Sequence, residues 1–356
     1  MERSLFLMDI RRPRLAVAPV LLVALLTACG GGGGGGGGGP AGGGSQPSVE
    51  LSLVAYSTPQ EAYDQITEAF AKTPAGRNVT FTKSYGSSGD QSRAVQSGLN
   101  ADIVAFSLEP DMTRLVTAGM VDPAWNSGPT KGMVTNSVAA FIVRKGNPKN
   151  IRTWADLAKP GIEVVNPNPF TSGGARWNVM AAYGQAAATG LRGLNAVDAE
   201  AAGVDYLNAL YKNVVVQDDS ARKSLQTFTS GKGDVLIGYE NEAIFARLKN
   251  QPIDYVVPDS TILIENPVAV TETSKHPEQA QAFLDFLSSP AAQAIFAKNG
   301  YRSIDPSVKG PVAFPTPARQ FTIATFGGWA EVTKKFFDPA GSIMADVERR
   351  IGVSVG

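Results

Sequence analysis

The chain has 356 residues, 43% of them hydrophobic and 18% charged, with 32 Lys+Arg against 32 Asp+Glu. That length fits two domains of ordinary size, and the balanced charge argues against a general nucleic-acid binder, which needs a basic face. One Cys excludes an intrachain disulfide framework. One His, His276, argues against a Ser-His-Asp triad or a multi-His metal site.

The N-terminus reads as a targeting segment. Arg11, Arg12 and Arg14 precede an uncharged run from Leu15 to Ala28, which is short for a membrane anchor and suits a signal-peptide core. The run ends Leu26-Thr27-Ala28-Cys29, which resembles the lipobox of bacterial lipoproteins, with Cys29 lipidated and left as the first mature residue. The alternative is a free Cys in an ordinary signal peptide. The paired arginines raise a twin-arginine export route, but the residues after them fit it poorly. Residues 1–28 are thus expected to be removed, which leaves 28 basic and 30 acidic residues and a net charge of −2. Residues 29–48, with ten consecutive glycines from Gly30 to Gly39, read as a flexible tether. Acyl chains, rather than basic attraction, would hold the protein at a membrane.

Beyond the tether, strands alternate with helices. Val49–Tyr56, Val79–Ser84, Asp102–Ala105 and Ser137–Arg144 read as strands, as do Val164-Val165, Val214–Val216 and Asp234–Ile237. Helical spacing marks 59–71, 90–99, 174–188, 198–211, 221–230 and 241–249, then 277–288 and 290–298. The alternation predicts an α/β fold with mostly parallel sheets.

Ligands of open α/β sheets sit beyond the C-terminal strand ends. Three loops there have unusual chemistry: Ser84 to Gln91, Asn166 to Asn178, and Asp218 to Lys223. Each puts Ser, Gly or Ala at the mouth of a predicted helix. The first backbone N–H groups of a helix are unpaired and carry partial positive charge. Glycine admits a close approach and Ser adds a hydroxyl donor. Three such ends aimed at one point would hold a small anion without Lys or Arg. Each alone is equally an ordinary helix cap. Asp218-Asp219 are read as helix-start acids, and Trp125, Trp154, Trp177 and Trp329 as packing residues.

The run Asn168-Pro169-x-x-Ser172-Gly173-Gly174-Ala175-Arg176-Trp177-Asn178 is similar to a loop of bacterial sulfate-binding proteins, the solute receptors of sulfate/thiosulfate ABC importers. Gly233-Asp234-Val235-Leu236-Ile237 with Glu240-Asn241-Glu242-Ala243, Val143 to Pro148, and Phe326-Gly327-Gly328-Trp329-Ala330 resemble further signatures of that family. The likeness runs from about Val49 to Phe337.

The resemblance implies a two-lobed periplasmic binding protein fold of type II with the ligand in the interlobe cleft. One lobe would be 49–136 plus about 262–320 and the other 137–261, joined by Ser137–Arg144 and Ile262–Val270. It leaves the packing of a C-terminal helical segment, 321–356, open. It implies no catalysis, no cofactor and no metal. The chain would be an extracytoplasmic, lipid-anchored monomer that passes sulfate, or thiosulfate, to a permease with a separate ATPase. No Gly-x-x-x-x-Gly-Lys-Ser/Thr loop occurs here. By the same resemblance, sulfate is met by the Ser88 backbone N–H, the Ser172 backbone and hydroxyl, the Gly173, Gly174 and Ala221 backbones, and Tyr239, with Ser57 nearby. Tyr239 stands where relatives have Trp, and Ser57 where an Asp is frequent. Arg176 and Arg222 would hold loops and offset charge. A bulky side chain at Gly173 is expected to crowd the bound oxygen, and Asp90, Asp218 and Asp219 are expected to point away, toward helix-start amides or the two arginines. Rival readings are molybdate or phosphate as the ligand, and a surface sensory lipoprotein.

Overall fold

A computed structural model of the chain describes residues 48–190, 196–310, 313–353 and 355. The signal peptide, Cys29 and nearly all of the tether lie outside the described residues. The first strands and helices run β1 (Val49–Tyr56), α1 (Gln60–Phe70), β2 (Val79–Gly86), α2 (Ser88–Gln96), β3 (Ile103–Ala105) and α3 (Glu109–Thr117). Then come β4 (Met133–Arg144), α4 (Trp154–Leu157), β5 (Val164–Val165), α5 (Gly173–Gly190), α6 (Ala196–Tyr211), β6 (Val214–Val216), α7 (Ala221–Thr229), β7 (Val235–Tyr239), α8 (Glu240–Leu248) and β8 (Ile253–Val256). The chain closes with β9 (Ser260–Val270), α9 (Pro277–Leu287), α10 (Pro290–Lys298), β10 (Arg319–Phe321), a 3₁₀ turn, α11 (Gly328–Phe337) and α12 (Ile343–Arg350).

One sheet, in the order β2-β1-β3-β9-β4-β7-β5-β6, carries the whole arrangement, with β10 on β9 and β8 on β4. Its two outer parts are parallel, β2-β1-β3 on one side and β7-β5-β6 on the other. Its middle is antiparallel. β9 pairs β3 through Val268–Val270 and β4 through Leu263–Pro267, and β4 continues through Ala139–Val143 onto β7. The expected parallel sheet is therefore broken by the two longest strands, because each must run from one half into the other. Both are apolar enough to be covered on two faces: every residue from Ser137 to Val143 is buried.

Each half has its own core. In the first, Leu51, Leu53 and Ile103 meet Tyr63, Ile66 and Phe70 of α1 and Phe283 and Phe296 of α9 and α10. The α1 pattern follows helical spacing, which brings Ala62, Tyr63, Ile66 and Phe70 onto one face. In the second, Phe141, Trp154, Trp177 and Met180 pack with Leu207 and Tyr211. The α5 interior is buried from Ala175 through Ala182 apart from Arg176, and apolar there but for Arg176 and the hydrogen-bonded Asn178. The C-terminal helices close this second core: Trp329, Val332, Phe336 and Met344 belong to it, and the Trp177 and Trp329 rings meet edge to face at 4.7 Å. Among the described residues no helix is long and apolar enough to cross a membrane.

Trp329 is 5% exposed, so Trp329→Ala is expected to lower the unfolding free energy by about 3–5 kcal/mol in a denaturant titration. A loss below about 1 kcal/mol would show that α11 does not share the core.

Candidate functional site

The three loops chosen from sequence converge. β2 leads into α2, β5 into α5 and β6 into α7, and each helix starts beside the seam where the two halves meet. Ser57 and Thr58 after β1, Ser107 after β3, and Tyr239 at the end of β7 complete the lining, with Tyr56, Gly86, Ser87, Ser88, Ser172, Gly173, Gly174, Ser220 and Ala221. The cavity volume is about 10 Å³, on the order of one water-sized sphere and far below pockets for drug-sized ligands, roughly 300–1,000 Å³. No lining residue carries a charge. A larger groove of about 910 Å³ opens elsewhere, but Asp122, Glu272, Glu278 and Asp285 line it, and no strand-to-helix loop of the three reaches it.

The donors can be counted. The N–H groups of Ser88, Gly173, Gly174 and Ala221 lie in the first turns of α2, α5 and α7 and bond no protein carbonyl outside those turns. Ser172 departs from expectation: its N–H already donates to the Asn168 carbonyl at 2.8 Å. Its contribution is the hydroxyl alone, whose oxygen accepts from Ala175 N–H at 3.4 Å and whose proton stays free. The Ser88 hydroxyl is spent too, donating to Asp111 Oδ2 at 2.6 Å and accepting from Ser107 N–H at 2.9 Å, so only its backbone faces the cavity. Tyr239 Oη lies 2.6 Å from Ser107 Oγ. Burial pushes the Tyr239 phenol well above its ordinary pKa, and pushes Tyr56 up to about 12. Both stay neutral wherever the protein is folded near neutral pH.

No acid enters. Asp90 is taken by the Ser87 hydroxyl and Arg93. Asp218 accepts from the Ser224 and Thr227 hydroxyls, both at 3.0 Å, and Asp219 pairs with Lys223 at 3.0 Å. The partners are hydroxyls and these cations rather than Arg176 or Arg222. Arg176 instead donates from Nε to the Pro169 carbonyl at 2.9 Å and lies over the Phe337 ring, which holds the 166–172 loop.

Several bonds span the seam. Gly89 N–H donates to the Thr171 carbonyl at 3.2 Å, and Trp177 Nε1 donates to the Ser107 carbonyl at 2.8 Å. Arg222 on α7 reaches Glu61 on α1 with Nη1 at 2.9 Å and the Thr58 carbonyl with Nη2 at 2.8 Å, while Glu242 of α8 accepts at 2.8 Å from the same Nη2. Burial alone would lower the Arg222 pKa, but the Glu242 and Glu61 carboxylates outweigh it and raise it. Gly173 belongs to this group. A Cβ there would meet Ser107 Cβ at 2.7 Å and Leu108 Cδ2 at 2.9 Å, so the crowding falls on the opposite half before it falls on any bound oxygen. At Gly174 the nearest atom would be Ala221 Cβ at 3.1 Å, a tight contact between two helix starts.

Ser107 was not among the residues chosen from sequence. It follows β3 as Ser57 follows β1. The signal was the helix behind it: Pro110 in the first turn, then Met112 and Leu115 at helical spacing, both buried. Without α3, the loop at 106–108 does not register as a strand-to-helix connection.

Two half-sheets joined by two long strands, with helix N-termini from both halves aimed at one small uncharged cavity, define a two-lobed solute-binding protein of the type II periplasmic fold. The chain belongs to the bacterial extracellular solute-binding proteins, whose family model matches residues 51–302. It is 44% identical over 306 residues to a sulfate-binding protein of Synechococcus elongatus, covering 82% of this chain and 85% of that one. It is 33% identical over 302 residues to a thiosulfate-binding protein of Pseudomonas aeruginosa, covering 81% and 89%. The solved structure of the sulfate-binding protein SubI from Mycobacterium tuberculosis H37Rv superposes with a TM-score of 0.77 at 44% identity, covering 82% of this chain and all of that one. These relatives are all named as binding proteins.

The Arg222 contacts separate two roles. Glu242 is buried and Glu61 partly exposed. Arg222→Ala is expected to destabilise the fold by about 3–5 kcal/mol, because it leaves Glu242 buried without its cation. Glu61→Gln is expected to cost less than about 1 kcal/mol. Equal losses in denaturant titrations would show that the two carboxylates do not differ in this way.

Proposed function

We propose that the chain is an extracytoplasmic receptor that captures sulfate and delivers it to an ABC permease driven by a separate ATPase subunit. The observation that carries this reading is a cavity lined by backbone N–H groups and hydroxyls, with no carboxylate and no cation. Sulfate at neutral pH has no proton and only accepts hydrogen bonds. Hydrogenphosphate keeps a proton that needs an acceptor, and an unpaired buried O–H costs on the order of 1–3 kcal/mol. The names of the relatives support the same ligand, and thiosulfate is the second reading because one relative is named for it.

The lobes are taken as 49–136 plus about 262–320 and 137–261, with β4 and β9 as the crossings. Two crossing strands permit hinge closure, and the seam bonds then belong to the closed form. Cys29 is taken as the lipidated first residue, the glycine tether as the link to the membrane, and the receptor as a monomer. Ser57, Ser88, Ser172, Gly173, Gly174, Ala221 and Tyr239 form the binding set, with Arg176 and Arg222 behind them.

Calorimetric titration with sulfate, thiosulfate, phosphate and molybdate tests the reading. Sulfate is expected to bind with an affinity that is flat between about pH 5 and pH 8, the window in which a histidine would titrate, since the lining tyrosines stay protonated there. Phosphate that displaces sulfate with comparable affinity would show an acceptor in the cavity and contradict the reading. Ser172→Ala is expected to cost roughly 1.5–3 kcal/mol of binding, the loss of one hydroxyl donor to a charged group. Gly173→Val is expected to abolish binding by holding the halves apart, and wild-type affinity in that variant would place the site elsewhere. For the anchor, Cys29→Ser should move the protein to the soluble fraction, whereas unchanged membrane association would refute lipidation at Cys29.

A further inference from the structure

We propose that a cationic groove on the outer side of the seam gathers the oxyanion and speeds its entry into the cavity, an inference that rests on the oxyanion reading above. The cavity lining carries no formal charge. A hydrogen-bond donor acts only at contact, within about 3 Å. A formal charge attracts across a Debye length, roughly 30 Å at 0.01 M salt and 10 Å at 0.1 M. Attraction of a dianion from solution therefore falls to charges outside the cavity.

The groove has a volume of about 460 Å³ and takes Arg93 of α2 and Arg114 of α3 from the first half, and Arg176 of α5 and Lys334 of α11 from the side of the second. It lies directly beside the cavity. Ser88 and Ser172 line the cavity, their neighbours Gly89 and Thr171 join across the seam through one N–H to carbonyl bond of 3.2 Å, and Arg93 and Phe170 line the groove beyond it. The Arg93 guanidinium is close to that bond, since a Cβ on Gly89 would lie 3.3 Å from its Nη1. Arg93 pairs with Asp90, and Arg114 with Asp111 at 3.0 Å. Arg176 spends Nε on the Pro169 carbonyl, and neither it nor Lys334 pairs with a carboxylate among the described residues. Asp338 is the one acid in the lining, so cations exceed acids there after pairing. Burial is the largest effect on the Arg176 pKa and lowers it, Asp111 raises it, and Arg114 and Arg93 lower it further, so the three guanidiniums share one field. Charges of one sign gathered at a cleft raise association rates by roughly 10–10³-fold where the field is strong, and an excess this small is expected to give about a fewfold gain.

Charge changes at the groove test this. Calorimetry gives the dissociation constant for sulfate, a chase of labelled sulfate gives the dissociation rate, and the ratio of the two gives the association rate. In about 0.01 M salt, Lys334→Glu is expected to slow association about fivefold and to change the dissociation rate less than about twofold. The difference is expected to close in about 1 M salt. Asp338→Asn removes the acid and is expected to quicken association about twofold, a direction that structural damage does not produce. Lys232→Glu makes the same change of charge just before β7, at the end of that strand away from Tyr239. It is expected to slow association less than about twofold. Equal slowing by Lys334→Glu and Lys232→Glu, a loss that lies in the dissociation rate, or an association rate that neither groove variant changes would overturn the role of the groove. A wild type that binds no sulfate would overturn the oxyanion reading beneath it, and the role of the groove with it.

Discussion

A small dianion taken out of water must replace its whole hydration shell with donors, and the proposed site would supply them without a single formal charge. The arrangement depends on one property of the α-helix: its first N–H groups have no carbonyl to bond. The third such N–H is capped by Ser289 on α10 and Ser342 on α12, and in the same way by Ser220 on α7 and Ser172 on α5. What differs at α2, α5 and α7 is that the N–H groups of Ser88, Gly173, Gly174 and Ala221 bond no protein carbonyl outside their turns and border the cavity. Each start carries a small residue, Ser88, Gly173 and Ala221, so the backbone itself forms the surface. The donors are also fixed before any ligand arrives, which avoids the ordering cost that long cationic side chains would add.

Bringing three helix starts to one point is a task for the whole sheet. Parallel strands at both ends put their C-terminal loops on a common side, and the antiparallel β4 and β9 in the middle face the two sets of loops toward each other. The contacts across the seam follow from that. Gly173 has no side chain because Ser107 and Leu108 of the other half lie where one would be. Arg222 joins α7 to α1 from behind, clear of the cavity, and its charge is fully met by Glu61 and Glu242. The cation therefore ties α7 to α1 without changing the uncharged character of the lining.

Much of this was legible in the residues. β1 occupies the predicted Val49–Tyr56 span, and the three donor loops were selected for their Ser and Gly before any coordinates. What sequence reading missed has physical reasons. β8 is a short strand added to the flank of β4, with Ile253 buried and its other residues half-buried, so it has no apolar run to announce it. α11 and α12 are covered by a core built some 150 residues earlier, and local pattern does not say which core a helix joins. α2 begins two residues before the predicted Asp90, and that shift is what brings the Ser88 N–H into the first turn. The Ser172 backbone, predicted as a donor, is consumed by the Asn168 carbonyl within its own loop, a turn that residue identity does not specify. Ser107 stayed hidden because the helix after it was not recognised.

The central claim is that backbone amides of three helices, drawn from both halves, surround one anion. Backbone ¹H–¹⁵N spectra of the labelled protein, recorded during titration with sulfate, test it most directly. The account predicts that the amide protons of Ser88, Gly173, Gly174 and Ala221 move downfield together as one site saturates, while those of Ser172 and Gly89, already bonded to the Asn168 and Thr171 carbonyls, change least within the same loops. Saturable shifts confined to one half, or centred on residues remote from these helix starts, would contradict it.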